Sequence, residues 1–255
     1  MFGKQTYKQL SERHCIGIST AQRSIDKVTV KFQAMKAGQA IIIMDTCYFG
    51  REFGVMVFRD HYTGKNLYWK YLQHESIAEY VSGIEYLKVN GWQIKAIVCD
   101  GKRGLFHAFG NIPVQMCQFH QVAIVTRYIT KNPKLPAGKE LKEIVKLLTR
   151  TDKESFVGAM DDWNEKWQNF LKEKTYAQLN KRKWHYTHHR LRSAYKSLKY
   201  NIACLFTWYD NPALPIPNTT NSLEATFSNL KNKIRVHAGL KRNRKQKLID
   251  QILAK

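Results

Sequence analysis

Three carboxylates stand at positions where they could hold a divalent cation. Asp45 follows an apolar run at residues 40–44, and Asp100 follows a second apolar run at residues 94–99. Glu224 lies 124 residues after Asp100, at the start of a segment with helical spacing. Mg²⁺ takes one or two carboxylates together with phosphate oxygens and water. Two such ions activate a nucleophile and stabilise the leaving oxygen of an in-line phosphoryl displacement, so the three residues are candidates for a phosphodiester site.

Each carboxylate also has a simpler interpretation, as a cap of the local backbone. Asp often caps the turn after a strand, and the conformational freedom of Gly101 would allow a sharp turn after Asp100. If Asn221 is the N-cap of the last long helix, Glu224 stands at N3 and completes a capping box. The residue types alone leave capping and metal binding open.

The charge of the chain indicates which ligand such a site would meet. The 255 residues carry a formal net charge of +22, and only three acids accompany 17 Lys and Arg between Lys174 and Lys255. A solvated basic face is the alternative, but it fits the acid-free run from Lys174 to Tyr209 less well than a polyanionic partner does. We expect DNA. The candidate phosphate contacts are Arg23, Lys181, Arg182, Lys183, Arg190, Arg192, Lys231, Arg235, Lys241 and Arg242.

Hydrophobic periodicity predicts the elements that position the carboxylates. Five strands and two helices follow in the order βββαβαβ, which indicates a mixed α/β sheet. Asp45 and Asp100 would project from one end of this sheet if their strands are neighbours, and ligands gather outside such strand ends. The predicted strands cover residues 40–44, 55–58, 66–71, 94–99 and 113–117; one helix runs from Ser76 to Gly91 and a short one covers 105–109.

Helical patterns flank the sheet. A helix from Thr6 to His14, a turn, and a second helix capped by Ser19 with Gln22 in a capping box form a helix-turn-helix-like pattern, although a plain helical hairpin would look the same. Residues 121–210 show helical spacing without strand signals, and a last helix follows three prolines and ends near Arg235. We therefore divide the chain into a DNA-binding segment that starts part-way through its module (1–35), the first part of the core (36–120), a helical insertion (121–210), the final core helix (211–240) and a basic tail (241–255).

The ordered segments IIIMDTCYFG, IVCDGKRGL, CQFH and NTTNSLEATFSNLK resemble those of DDE transposases. The resemblance is narrower to the Mutator-like transposases and their bacterial insertion-sequence relatives, and it covers residues 38 to 240. It implies a ribonuclease H-like core with a helical insertion before the Glu. By the same resemblance Asp45, Asp100 and Glu224 are the metal-binding catalytic triad. Cys117 and His120 are the Cys-x-x-His pair of that family, and Asn221 and Lys231 flank the Glu.

The resemblance implies metal-dependent cleavage at transposon ends and strand transfer into target DNA. Asp45 would bridge two Mg²⁺ ions, with Mn²⁺ as a substitute, and the protein would act as a homodimer or higher oligomer on DNA. A ribonuclease H-like nuclease or resolvase without strand transfer is the alternative enzyme. A domesticated or truncated transposase that only binds DNA is the alternative from another class.

Cysteine use and hydropathy give the remaining expectations. Five irregularly spaced cysteines favour a reducing compartment, and no apolar run reaches the ~18 residues of a membrane span, so we expect a cytoplasmic protein, nucleoid-associated in a prokaryote. Cys117 and His120 supply two of the four ligands that a structural zinc site needs. His185, His188 and His189 are a candidate second half, but packing of the pair beside the active site is the favoured interpretation.

Overall fold

The computed structural model describes residues 5–32, 35–176 and 184–254, and it shows the predicted mixed α/β fold. The five-stranded sheet has the order β3-β2-β1-β4-β5. Strands β2 and β3 pair antiparallel, whereas β4 and β5 pair parallel. The strands of Asp45 and Asp100, β1 and β4, are neighbours, as predicted. The strands are β1 (Gln39–Phe49), β2 (Phe53–Asp60), β3 (Asn66–Leu72), β4 (Gln93–Cys99) and β5 (Val114–Met116), and helix α3 (Ile77–Val89) links β3 to β4.

Strand β1 begins as predicted but continues further. Residues 40–44 are at most 2% exposed, as expected for a strand covered on both faces. The loss of apolar character at Asp45 predicts a strand end there, but the strand runs on to Phe49. Three residues link β1 to its neighbour β2. Hydrogen bonding between the two strands keeps residues 45–49 extended, and the hydropathy of the sequence does not indicate this pairing.

The chain divides into two compact units. Unit 1 contains the described residues of Met1–Gly38, Asp45–Gln93 and Asn221–Lys255. Unit 2 contains Gln39–Met44 and the described residues of Ile94–Thr220. Strand β1 therefore contributes its first six residues to one unit and its remainder to the other.

Unit 1 begins with a helical pair, α1 (Tyr7–His14) and α2 (Ile18–Lys27). Thr6 caps α1 in a capping box with Gln9, and Cys15 ends it in the left-handed conformation. The predicted cap of α2 at Ser19 is wrong, because the helix begins at Ile18 with Gly17 in the N-cap position. A capping-box spacing inside a helix is therefore no guide to where that helix starts.

Two helices end unit 1, α9 (Asn221–Val236) and α10 (Arg242–Leu253). Helix α10 covers most of residues 241–255, for which the sequence predicts only a basic tail. It packs on β3 through Asp250, whose carboxylate accepts hydrogen bonds from Trp69 Nε1 at 2.9 Å and from the Tyr71 hydroxyl at 2.6 Å. The apolar side of α9 is buried, and it consists of Leu223, Phe227, Leu230 and Ile234.

Unit 2 is mostly helical, with a core around Phe156, Trp163 and Leu198. The prediction of a strand-free block is wrong at one place, where β6 (Lys174–Tyr176) and β7 (Trp184–Tyr186) form a two-stranded antiparallel sheet. These three-residue strands are too short and too exposed to show alternation. The helices are α4 (Gln118–Ile129), α5 (Pro136–Leu147), α6 (Lys153–Lys172), α7 (His189–Leu205) and α8 (Thr207–Asp210). Among the described residues, no helix is long and apolar enough to cross a bilayer.

Candidate catalytic carboxylates and their surroundings

Asp45 lies where β1 changes from buried to accessible. It is the seventh residue of the strand and is half-buried, whereas the five residues before it are fully enclosed. The backbone N–H of Thr46 donates a hydrogen bond to Asp45 Oδ1 at 2.7 Å. The carboxylate is thus held on a rigid strand at the first position that solvent can reach.

The pKa of the buried Cys47 thiol reflects the charged residues that act on it within unit 1. Burial raises the pKa of Cys47 to about 11, the positive charge of Lys231 opposes this rise, and the negative charge of Asp45 adds to it. Lys231 of α9 and Asp45 of β1 thus both act electrostatically on this thiol. Lys231 follows Glu224 by seven residues, two helical turns, and the two therefore share one face of α9.

A buried arginine fixes the first turn of α9 to β2. Arg59 is 9% exposed, and its guanidinium donates to the Ser222 carbonyl and, at 2.7 Å, to Thr226 Oγ1. It also donates to Asn66 Oδ1 at 2.9 Å on β3. Ser222 and Thr226 stand two residues before and two residues after Glu224, so this contact sets the position of the Glu224 backbone. Burial lowers the pKa of Arg59.

Sequence reasoning missed Arg59. The sequence did contain a signal, because Arg59 follows a run of apolar residues in a predicted strand. A guanidinium buried there needs hydrogen-bond partners. Its partners on α9 are 163 and 167 residues away along the chain, so no local pattern could identify them.

Glu224 is exposed and is the fourth residue of α9. The predicted N-cap at Asn221 is wrong, because the helix includes Asn221 and the cap position moves to Thr220. Leu223, rather than Glu224, then occupies N3.

Asp100 immediately follows β4 and is half-buried. Its Oδ1 accepts a hydrogen bond from the Lys102 N–H at 3.2 Å, the local turn that the capping interpretation expects. Gly101 does not use a positive φ here. A Cβ at Gly101 would instead lie 2.4 Å from Met116 Cε and 3.1 Å from Ile124 Cδ1, so glycine serves close packing after the strand.

Cys117 and His120 come together within unit 2, at the start of α4. The sulfur of the buried Cys117 accepts hydrogen bonds from the Thr220 N–H at 3.4 Å and the Thr220 hydroxyl at 3.3 Å. Burial raises the pKa of this thiol, but its hydrogen bonds with His120 and Thr220 outweigh burial and lower the pKa overall. The pair thus fixes the residue before α9.

Of the other histidines considered for zinc, His188 stacks on Phe170 at 3.6 Å and bonds to Glu173 at 2.9 Å.

The basic residues fall into three groups. Lys181, Arg182 and Lys183 lie outside the described residues. Two candidates are bound within unit 2: Arg190 donates to the Arg127 carbonyl and Arg192 to the Leu171 carbonyl. The exposed candidates are Arg23, Lys231, Arg235, Lys241 and Arg242.

In α10, Arg244 and Lys245 have acidic partners within unit 1. Arg244 makes a two-bond pair with the Asp26 carboxylate, both distances being 2.7 Å, and also donates to the Tyr7 hydroxyl at 3.1 Å. Lys245 lies 3.2 Å from Glu52. These cations hold the N-terminal helical pair and the β1–β2 turn, so they are less available to phosphates than the sequence suggests.

The comparisons with known proteins give little beyond this geometry. No protein-family model matches the chain, and no curated protein matches it by sequence. Among solved structures, it is similar to a chain of the simian T-cell lymphotropic virus intasome in complex with PP2A regulatory subunit B56 gamma, at 13% identity and a TM-score of 0.26. The overlap covers 55% of this chain and 64% of that chain.

Proposed function

We propose that this protein is a DDE-type transposase with a ribonuclease H-like core. Asp45, Asp100 and Glu224 are its metal-binding catalytic triad. The observation that supports this most is the placement of the three acids on the elements that the chemistry needs. One lies on β1, one follows the neighbouring strand β4, and one lies in the first turn of a helix anchored by Arg59.

The three side chains suit Mg²⁺ or Mn²⁺. All are oxygen donors, Asp45 and Asp100 are half-buried, and Glu224 is exposed, so each is open to solvent, ions and phosphates. Two bound ions would supply an activated water or 3′-hydroxyl and would stabilise the leaving oxygen.

The other residues bind and position the DNA. Lys231 and Arg235, exposed on α9, attract the phosphodiester to the side of the helix that carries Glu224. Asn221 stands at the first position of that helix, and Arg59 keeps its first turn in place. Cys117 and His120 fix Thr220 just before it. No protein nucleophile is required.

The substrate in this proposal is DNA, as transposon ends and as target, bound by a homodimer or higher oligomer. The net charge of +22 supports a polyanionic partner. The five cysteines are free thiols, which agrees with a cytoplasmic location beside the DNA. A nuclease or resolvase would need the same three carboxylates, so strand transfer is what separates it from a transposase.

The test is cleavage of supercoiled plasmid DNA in Mg²⁺, followed by joining of pre-cut ends to a target plasmid. Glu224→Gln keeps the side-chain shape but removes the charge that a metal ligand needs. It should lower cleavage by several orders of magnitude while DNA binding stays equal or tightens, because one negative charge leaves the binding surface.

Glu165→Gln on the exposed face of α6 is the matched control and should cleave like the parent. Cleavage by Glu224→Gln within threefold of the parent would contradict the proposal. Cleavage without joining would identify a nuclease instead. Binding without either reaction would identify a protein that only binds DNA.

A further inference from the structure

The small sheet of unit 2 has one aromatic face. Its register pairs Lys174 with Tyr186 and Tyr176 with Trp184. Paired residues, and residues two apart on a strand, point to the same side of a sheet, so these four side chains share a face. The Trp184 and Tyr186 rings meet edge to face at 5.2 Å, and Lys174 Nζ lies 4.1 Å from the centre of the Trp184 ring.

One end of this face is held firmly. The Arg192 guanidinium lies 3.6 Å from the centre of the Tyr186 ring and donates to the Leu171 carbonyl at 2.8 Å. On the opposite side of the sheet, the Thr175 and Thr187 hydroxyls are hydrogen-bonded at 2.8 Å. The Thr187 N–H also donates to the Glu173 carbonyl at 3.0 Å, which ties the sheet to the end of α6.

The other end is open. Tyr176 is 74% exposed and Trp184 is 40% exposed. These two large rings, carried by a sheet that is held at its other end, are exposed to solvent and form a candidate binding surface. Adjacent exposed aromatics of this kind mark interaction sites more often than single ones do.

The charge around the face selects its ligand. No acid occurs between Lys174 and Tyr209, and the acid that precedes this run, Glu173, is bonded to His188. A cation beside exposed aromatic rings fits a ligand that has both flat rings and negative charge. Single-stranded nucleic acid is such a ligand, since its bases stack on aromatic side chains while its phosphates meet Lys and Arg.

We propose that this aromatic face (Lys174, Tyr176, Trp184 and Tyr186) binds unpaired bases of single-stranded DNA. Tyr176 and Trp184 stack on successive bases, Lys174 contacts the phosphate between them, and Tyr186 supports Trp184 from below. The inference takes DNA as the ligand class from the proposed function, and it adds a site for the unpaired bases that appear where strands are cut and exchanged.

The test compares the affinities for a fluorescent oligo(dT) strand and for a duplex of equal length. Replacing Tyr176 and Trp184 together by Thr removes both rings and keeps a β-favouring residue. We expect oligo(dT) affinity to fall about tenfold or more, as loss of base–aromatic stacking does, while duplex affinity changes less than twofold. Replacing both by Phe should restore the affinity for oligo(dT), which shows that the rings matter rather than the fold.

Tyr200→Thr is the matched control, because Tyr200 is 72% exposed on α7 and lies outside the small sheet. Three results would overturn the proposal: unchanged oligo(dT) affinity in the double Thr variant, an equal loss of single-strand and duplex affinity, or a change of oligomeric state by light scattering that identifies a protein-binding face. Plasmid cleavage by the same variants separates the two proposals. Loss of oligo(dT) discrimination with cleavage intact affects only this inference, whereas absent cleavage with discrimination intact affects only the catalytic triad.

Discussion

Replacing Arg59 by Met should loosen the first turn of α9 more than any other part of the protein. Met keeps much of the length and apolar stem of Arg but leaves Ser222, Thr226 and Asn66 without their guanidinium donor. Hydrogen bonds to charged groups are worth about 1.5–3 kcal/mol each. Removing the guanidinium also removes the free-energy cost of burying its charge. The loss of stability is therefore smaller than the sum of the three hydrogen bonds. We expect a net loss of about 2–4 kcal/mol in the free energy of unfolding of unit 1.

The assay joins thermal unfolding to hydrogen exchange. In a chain of this size, 1 kcal/mol corresponds to about 2–4 °C, so the unfolding midpoint of unit 1 should fall by about 5–15 °C. Amide protection should decrease at residues 222–228 and stay unchanged in α6, which belongs to unit 2. Thr226→Val removes one acceptor and should cost about 1 kcal/mol.

Arg51→Met is the control, since Arg51 is exposed in the turn between β1 and β2. Because Arg59 acts on Glu224 only through the backbone, Arg59→Met should also slow Mg²⁺-dependent cleavage without weakening DNA binding. An unfolding midpoint within 1 °C of the parent, with unchanged exchange at residues 222–228, would refute the positioning role.

Three further outcomes follow from the structure. Asp26→Asn should release the N-terminal helical pair, seen as earlier tryptic cleavage after α2. Because Arg244 holds the pKa of Asp26 below its ordinary value, the pair is stabilised above about pH 4, and this stabilisation is lost as the pH falls through the lowered pKa, measured as loss of amide protection in α2. With a thiol reagent at pH 8, exposed Cys15 should react first, whereas buried Cys47, with its pKa raised to about 11, should react only on unfolding; Cys15→Ser should abolish the fast phase. Lys241→Ala should lower the log–log salt slope of DNA binding by about one, whereas Arg244→Ala should leave the slope nearly unchanged because its cation is already paired.

Most of the secondary structure follows from local pattern. The apolar run at residues 40–44 predicts the central strand, and the helical spacing after Glu224 predicts α9, which ends one residue beyond Arg235. These features depend on burial, which the sequence records directly.

The errors occur where pairing or tertiary contact decides the conformation. The second half of β1 begins with the half-buried polar residues Asp45 and Thr46 but lies beside β2, so it remains a strand. Strands β6 and β7 are three residues each, and their pairing with one another, rather than a hydrophobic pattern, makes them strands. The cap of α2 falls on Gly17, which has no side chain to signal the position.

For the candidate site, the sequence predicts the three carboxylates, whereas some of the contacts that hold their elements in place are visible only in the structure. The types of Asp45, Asp100 and Glu224, and their places after apolar runs or in a helical turn, predict them as candidate metal ligands. The contact between Arg59 and the first turn of α9, and the one between Cys117 and Thr220, could not be predicted. Both join residues more than 100 positions apart through hydrogen bonds, which leave no periodic trace.

The most direct test of the proposed triad is a crystal structure with Mn²⁺, whose anomalous scattering locates the ion without assumptions about the ligands. We predict Mn²⁺ about 2 Å from carboxylate oxygens of Asp45, Asp100 and Glu224, and loss of that signal in Asp45→Asn crystals grown under the same conditions. Carboxyl groups more than about 10 Å apart in the ordered protein, or Mn²⁺ bound only at other residues, would contradict the assignment, because ions with ligands at about 2 Å cannot span that separation.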